Sequence, residues 1–171
     1  VHQAMRDGRE RGVLYDIGHG AGAFNWTAAE LCAGEEFWPD VISTDMHSLT
    51  CNGPAYDMPT VMTKLLLLGM PLPELMEAST LSAAEAIGWE DRIGTLGLGR
   101  EADVTVLSLD EVDVELEDCQ CQMRRIEQRL SAIAVWRAGA QGQITHPLKW
   151  PCVDHLEQSR TYLPMLKIRD E

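Results

Sequence analysis

Two short apolar runs, Val13-Leu14-Tyr15-Asp16-Ile17 and Val41-Ile42-Ser43-Thr44, each empty into a polar loop that leads to a helical segment. Short apolar runs bounded by turn residues read as buried strands. The first opens into Gly18-His19-Gly20-Ala21-Gly22, and Trp26 to Ala33 then reads as a helix with Asn25 as its N-cap. The second ends at Asp45. A loop from Met46 to Asp57, containing Asn52-Gly53-Pro54, leads to a helix beginning at Pro59, whose missing N–H is harmless in a first turn. Strands alternating with helices predict a parallel sheet, and such a sheet needs both faces covered. Two strand–helix units are too few to do that and leave strand edges open. The expectation is an α/β fold: the C-terminal piece of a larger α/β barrel, plus a small β unit.

Further along, Val61, Leu65 and Leu68 fall at i, i+4 and i+7, one apolar helix face that stops at Gly69. Leu72 to Glu77 and Ser82 to Ile87 read as two short helices, the second closed by Gly88. The character then changes. Ala102 to Leu109 is rich in β-formers, Val112 to Leu116 alternates with period two, and Ile133 to Trp136 is another strand. Arg124 to Arg129 is compatible with strand or helix. Val1 to Arg11 reads as helix already in progress, so the chain is expected to be a fragment. The expected division is residues 1–93 as barrel, 94–146 as small β-domain, and 147–171 as a surface tail with Trp150, Tyr162, Leu163 and Leu166 as anchors.

With 14 Lys and Arg against 27 Asp and Glu, the formal net charge is −13. That charge argues against a general nucleic-acid binder and against a polybasic membrane anchor. No apolar run reaches the roughly 20 residues of a membrane-spanning helix. Five cysteines without regular spacing suit a reduced, cytoplasmic protein. Cys119-Gln-Cys121 has no second pair nearby and is expected to be two thiols on one face of a strand rather than half a metal site. Glu115, Glu117 and Asp118 read as a solvated charge run, Arg124, Arg125 and Arg129 as a solvated strand face, and His2, His146 and His155 as surface histidines.

Several segments together resemble the amidohydrolase superfamily of metal-dependent hydrolases. The most specific is Gly94-Thr95-Leu96-Gly97-Leu98-Gly99-Arg100-Glu101-Ala102-Asp103-Val104-Thr105-Val106-Leu107, which is similar to the stretch where that family's chain leaves its barrel for a small β-domain. Ala83 to Gly88 followed by Asp91-Arg92-Ile93-Gly94 looks like the last barrel helix and its exit. Asp16 to Phe24, and Ser43 to Ser48 with Asn52-Gly53-Pro54 and Asp57 to Thr60, resemble the seventh and eighth strands and loops of the dihydroorotase-related amidohydrolase/deacetylase branch. The resemblance implies the last two βα units of a TIM-like (β/α)8 barrel plus part of a small β-sandwich. It also implies a divalent metal, with zinc the expectation, and a small acylated molecule as substrate. The family's H-x-H, mid-barrel lysine and two further histidines have no counterpart here, so most ligands would lie outside this chain, and the chain alone is expected to be inactive.

Asp45 stands directly after an apolar strand, where barrel enzymes place their chemistry. The resemblance makes it the eighth-strand aspartate, both a metal contact and a catalytic proton shuttle. In that role it takes a proton from metal-activated water and passes it to the leaving group of an N-acyl or O-acyl acid. His19 and Gly20, in the first glycine-rich loop, and His47, Asn52 and Gly53, in the second, are the candidate substrate contacts. For His19 the alternative is a loop histidine bonded to a neighbouring carbonyl. For the second loop it is a scaffold of side-chain–backbone bonds. Asp57 is expected to cap the next helix. Two other functions stay open: a cyclic-amide hydrolase of the dihydroorotase type or a deaminase, and a shortened, non-catalytic binding module. The sequence does not set the oligomeric state.

Overall fold

The computed structural model describes residues 1–47, 50 and 53–144. The order is α1 (Gln3–Glu10), β1 (Asp16–Gly18), α2 (Trp26–Gly34), β2 (Val41–Ser43), α3 (Met58–Leu67), α4 (Leu72–Ser79), α5 (Leu81–Ala86), β3 (Val104–Glu117), β4 (Met123–Arg137) and β5 (Ala140–Gln141). β1 and β2 pair in parallel, Asp16 with Val41, Ile17 with Ile42 and Gly18 with Ser43. β3, β4 and β5 form a separate antiparallel sheet in that order. The fold is therefore mixed α/β with one parallel and one antiparallel sheet. The parallel sheet has only its two strands among the described residues, and no barrel closes there.

α1 is not a helix in progress at Val1. His2 is extended and its side chain accepts from the Ala4 N–H, an N-cap that starts the helix at Gln3. Asn25 caps α2 by accepting from Ala28 N–H, and Asp57 caps α3 by accepting from Thr60 N–H. Ile42 of β2 is buried against the helical layer of α3, α4 and α5. Gly94 packs so closely on Leu81 and Ala84 of α5, at φ +88°, that an added Cβ would lie 2.8 Å from that of Ala84. This close approach turns the chain out of the helices toward β3.

β3 is one continuous strand rather than two, and β4 is strand throughout, including Arg124 to Arg129. Cross-strand pairing overrides the charged interruption: Asp110 faces Arg129, and Arg125 forks onto Asp113 with N–O distances of 2.7 and 3.1 Å. The break in alternation is absorbed by a register shift between Glu111 and Val114. Cys119 and Cys121 lie in the turn joining β3 to β4, not on a strand face. Glu115 is exposed as expected, but Glu117 and Asp118 are buried. Their burial follows from the hairpin's turn end being driven into the helical half. Trp26, itself fully buried, donates its indole N–H to Leu116 O at 3.2 Å and its backbone N–H to Asp118 Oδ2 at 2.9 Å. One core runs through both halves, joining Phe24, Trp26, Ile42, Val61 and Leu65 to Leu116, Ile126 and Leu130. The anchors placed in 147–171, with His146 and His155, fall outside the described residues. No helix among the described residues is long and apolar enough to cross a membrane.

Candidate functional site

Parallel pairing of β1 and β2 puts their carboxyl ends side by side, so the loops after Gly18 and Ser43 rise together. Asp45 is exposed at this end and adopts φ +46°, a left-handed conformation uncommon for a residue with a side chain. Its carboxylate lies across Gly18 so closely that any side chain at Gly18 would overlap it. A Cβ on Gly20 would meet the Asp45 Cβ at 3.5 Å, and Gly20 N–H donates to Thr44 O at 2.9 Å. The two loops thus touch through the glycines of the first and the aspartate of the second. Beside them Ser43 Oγ donates to Asp16 Oδ2 at 2.6 Å.

His19, between those glycines, is fully buried and its ring stacks on Phe24 with centroids 4.9 Å apart. Its Nδ1 is 3.0 Å from Gly20 O, and its Nε2 is 2.8 Å from Lys64 Nζ. Lys64, in the middle of α3, has no solvent exposure. Its ammonium donates to Pro54 O at 2.9 Å and to Glu117 O at 2.5 Å, and lies 5.4 Å from the Phe24 ring centroid. Three acceptors converge on Nζ, which matches the three N–H bonds of an ammonium. Burial pulls Lys64 down to about 7 while Glu117, Asp118 and Cys119 pull it back up. Burial, and then the Lys64 charge, pushes His19 down to about 3. A neutral ring that accepts at Nε2 carries its proton on Nδ1, where it donates to Gly20 O.

Around this cation, Glu117 accepts from Tyr56 Oη at 2.5 Å. Asp118 accepts from the backbone N–H groups of Trp26, Gln120 and Gln122 at 2.8–2.9 Å. Gly53 lies against Tyr56 and Glu117. His47 is exposed; its backbone N–H donates to Thr50 Oγ1 at 2.8 Å, and Thr50 N–H donates back to His47 O at 2.9 Å. Asn52 falls outside the described residues.

The structure therefore brings Asp45 and Gly20 into contact, places His47 two positions beyond Asp45, and draws His19 and Gly53 toward a buried charged cluster. Sequence reasoning missed Lys64, Glu117 and Asp118. For Lys64 a signal existed: it stands three residues after Val61 and four before Leu68, on the apolar face of its own helix, where a lysine must be paired. Among the described residues no group of three or more His, Cys, Asp or Glu is placed to hold a metal ion. Asp45 offers one oxygen ligand, short of the three protein ligands of a catalytic zinc site.

A model of the amidohydrolase family matches residues 26–141. A deacetylase of Agrobacterium fabrum is 36% identical over 116 residues, covering 68% of this chain and 28% of that protein. A solved structure of an adenine deaminase superposes with a TM-score of 0.79 at 30% identity, covering 84% of this chain and 39% of the other. One of a dihydroorotase gives 0.72 at 31% identity, covering 82% and 37%. The chain thus spans under a third of that curated relative and well under half of either solved chain.

Proposed function

The chain belongs to the amidohydrolase family, and from that premise we propose that it is the C-terminal part of a metal-dependent deacetylase acting on a small N-acyl or O-acyl acid. In this reading 1–93 complete the barrel and 94–146 form the small β-domain; the tail expected at 147–171 lies outside the described residues. The observation that carries it is the Asp45 carboxylate, exposed at the carboxyl end of β2 and laid on Gly18 in a left-handed conformation.

Asp45 holds the proton of the attacking water and delivers it to the leaving nitrogen or oxygen of the acyl substrate. A divalent metal, when bound, supplies water acidic enough to attack at neutral pH. The described residues offer it only Asp45, so its other ligands belong elsewhere in the complete protein. His19 and Gly20 are buried, so they shape the mouth from beneath, and substrate contact falls to His47 and the loop of Asn52 and Gly53. The identity with a deacetylase supports this substrate class. The likeness to an adenine deaminase and a dihydroorotase supports a second reading, a deaminase or cyclic-amide hydrolase.

The test is acetate release from a panel of N-acetyl amino acids, run beside dihydroorotate and adenine, on the complete protein. Acetate release that falls at least about 100-fold in Asp45→Asn is the expected result, a loss of the size general acid–base catalysis contributes. Turnover confined to dihydroorotate or adenine selects the second reading. Unchanged turnover in Asp45→Asn removes Asp45 from the chemistry.

A further inference from the structure

We propose that Lys64 is a positioning residue for Asp45, acting through the His19 ring; the inference rests on Asp45 being the group that carries the proton. Lys64 has no solvent exposure. Its ammonium joins three separate segments: the loop after β1 through His19 Nε2 at 2.8 Å, the loop before α3 through Pro54 O at 2.9 Å, and the end of β3 through Glu117 O at 2.5 Å.

The first of these bonds reaches the site. A donor at Nε2 leaves the ring proton on Nδ1, where it engages Gly20 O at 3.0 Å. Gly20 N–H in turn holds Thr44 O, the carbonyl directly before Asp45, at 2.9 Å. The two glycines flanking His19 are those on which Asp45 rests. From Lys64 Nζ to the Asp45 backbone the path is therefore three hydrogen bonds joined by the His19 ring, the Gly20 backbone and the Thr44–Asp45 peptide bond. An apolar residue at position 64 would fill the same space without the cost of burying a charge. What the lysine adds is a fixed tautomer and a fixed loop height. Releasing the ring lets its proton move to Nε2, breaks the bond to Gly20 O and frees the loop. A misplacement of about 1 Å at a reacting group costs on the order of 100-fold in rate.

A staple without a positioning role would lower stability and leave the rate per folded molecule unchanged. In the complete protein, Lys64→Met is expected to lower kcat per folded molecule about 100-fold in the acetate-release assay, with KM within about threefold. Because Lys64 acts through His19, the double variant Lys64→Met with His19→Phe is expected to be no slower than His19→Phe alone. A folded Lys64→Met protein with kcat within about twofold of wild type, or effects that multiply in the double variant, would overturn the proposal. Should Lys64→Met not fold, nitrogen-15 spectra of the wild-type ring decide: a proton on Nδ1 supports the proposal and a proton on Nε2 overturns it. Turnover lost in Asp45→Asn but kept in Lys64→Met sinks this inference alone. Turnover kept in Asp45→Asn sinks the proton-carrier reading and this inference with it.

Discussion

At the scale of single residues, the contact between Gly18 and Asp45 makes the sharpest demand. The aspartate carboxylate occupies the space a side chain at Gly18 would need. Gly18→Ala therefore adds one methyl group to a strand, where alanine is ordinarily tolerated, yet must push the carboxylate aside. The expected outcome is a fall in kcat on the order of 100-fold with little change in Tm, measured by acetate release and thermal unfolding of the complete protein. A variant of full activity would show that Asp45 works from another rotamer. His19 makes a demand of a different kind. Its native pKa is pushed down from 6.5 to about 3 by burial and by Lys64. Between those values the unfolded chain binds a proton that the native ring refuses, so stability rises with pH across that window. It is fully present above 6.5 and is lost as pH falls toward 3. Denaturant titrations at steps between these limits should give His19→Phe a pH slope shallower by close to one proton. Equal slopes in the two proteins would mean that His19 is not buried neutral.

At the scale of elements, the turn between β3 and β4 is held by one carboxylate. Asp118 is almost fully buried and accepts from the N–H groups of Trp26, Gln120 and Gln122. Asp118→Ala orphans these donors, at about 1–3 kcal/mol for each one left unsatisfied. The expected loss is at least about 3 kcal/mol in urea unfolding, whereas the same change at exposed Glu115 should stay within about 0.5 kcal/mol. Similar losses at both positions would contradict the burial described. This pair also shows what sequence conveys about elements. The caps Asn25 and Asp57 were legible because capping is local chemistry written in adjacent residues. The parallel strands and the three helices after them were legible from apolar runs and glycine stops. The single long strands β3 and β4 were not, because Asp110, Glu111 and Asp113 break the alternation and only the partner strand supplies the arginines that face Asp110 and bind Asp113. Glu117 and Asp118 were unreadable for the same reason. Their partners Tyr56 and Trp26 are distant in sequence. The site was legible to the extent that a strand end marks it, through Asp45. The support beneath it, Lys64 on His19, joins residues 45 positions apart.

At the scale of the whole molecule, the shared core and the open sheet pull in opposite directions. The hairpin of β3 and β4 contributes Leu116, Ile126 and Leu130 to the same cluster as Ile42, Val61 and Leu65, so the two halves stabilise each other. The parallel sheet does not share that protection. Each of its strands has one edge without a strand partner among the described residues. Val13, Leu14, Met46, Ile87, Trp89, Leu96 and Leu98 are exposed around it and along the exit toward β3. A largely apolar cavity of about 740 Å³ also separates α3 and α5 from Val104, Leu107 and Val135 of the hairpin. Open edges template pairing with other chains, and clustered apolar surface drives association. Electrostatic repulsion from a net charge of −13 opposes this, but charge screening at about 0.15 M salt confines that repulsion to about 8 Å. Contact energies at exposed edges should therefore win. The 171-residue chain on its own is expected to self-associate on size-exclusion chromatography with light scattering, to bind a hydrophobic dye, and to unfold in urea over a broad transition. Raising salt should increase the associated fraction. A monodisperse monomer with one cooperative transition would show instead that the shared core suffices, and would favour a self-standing binding module over part of a longer barrel.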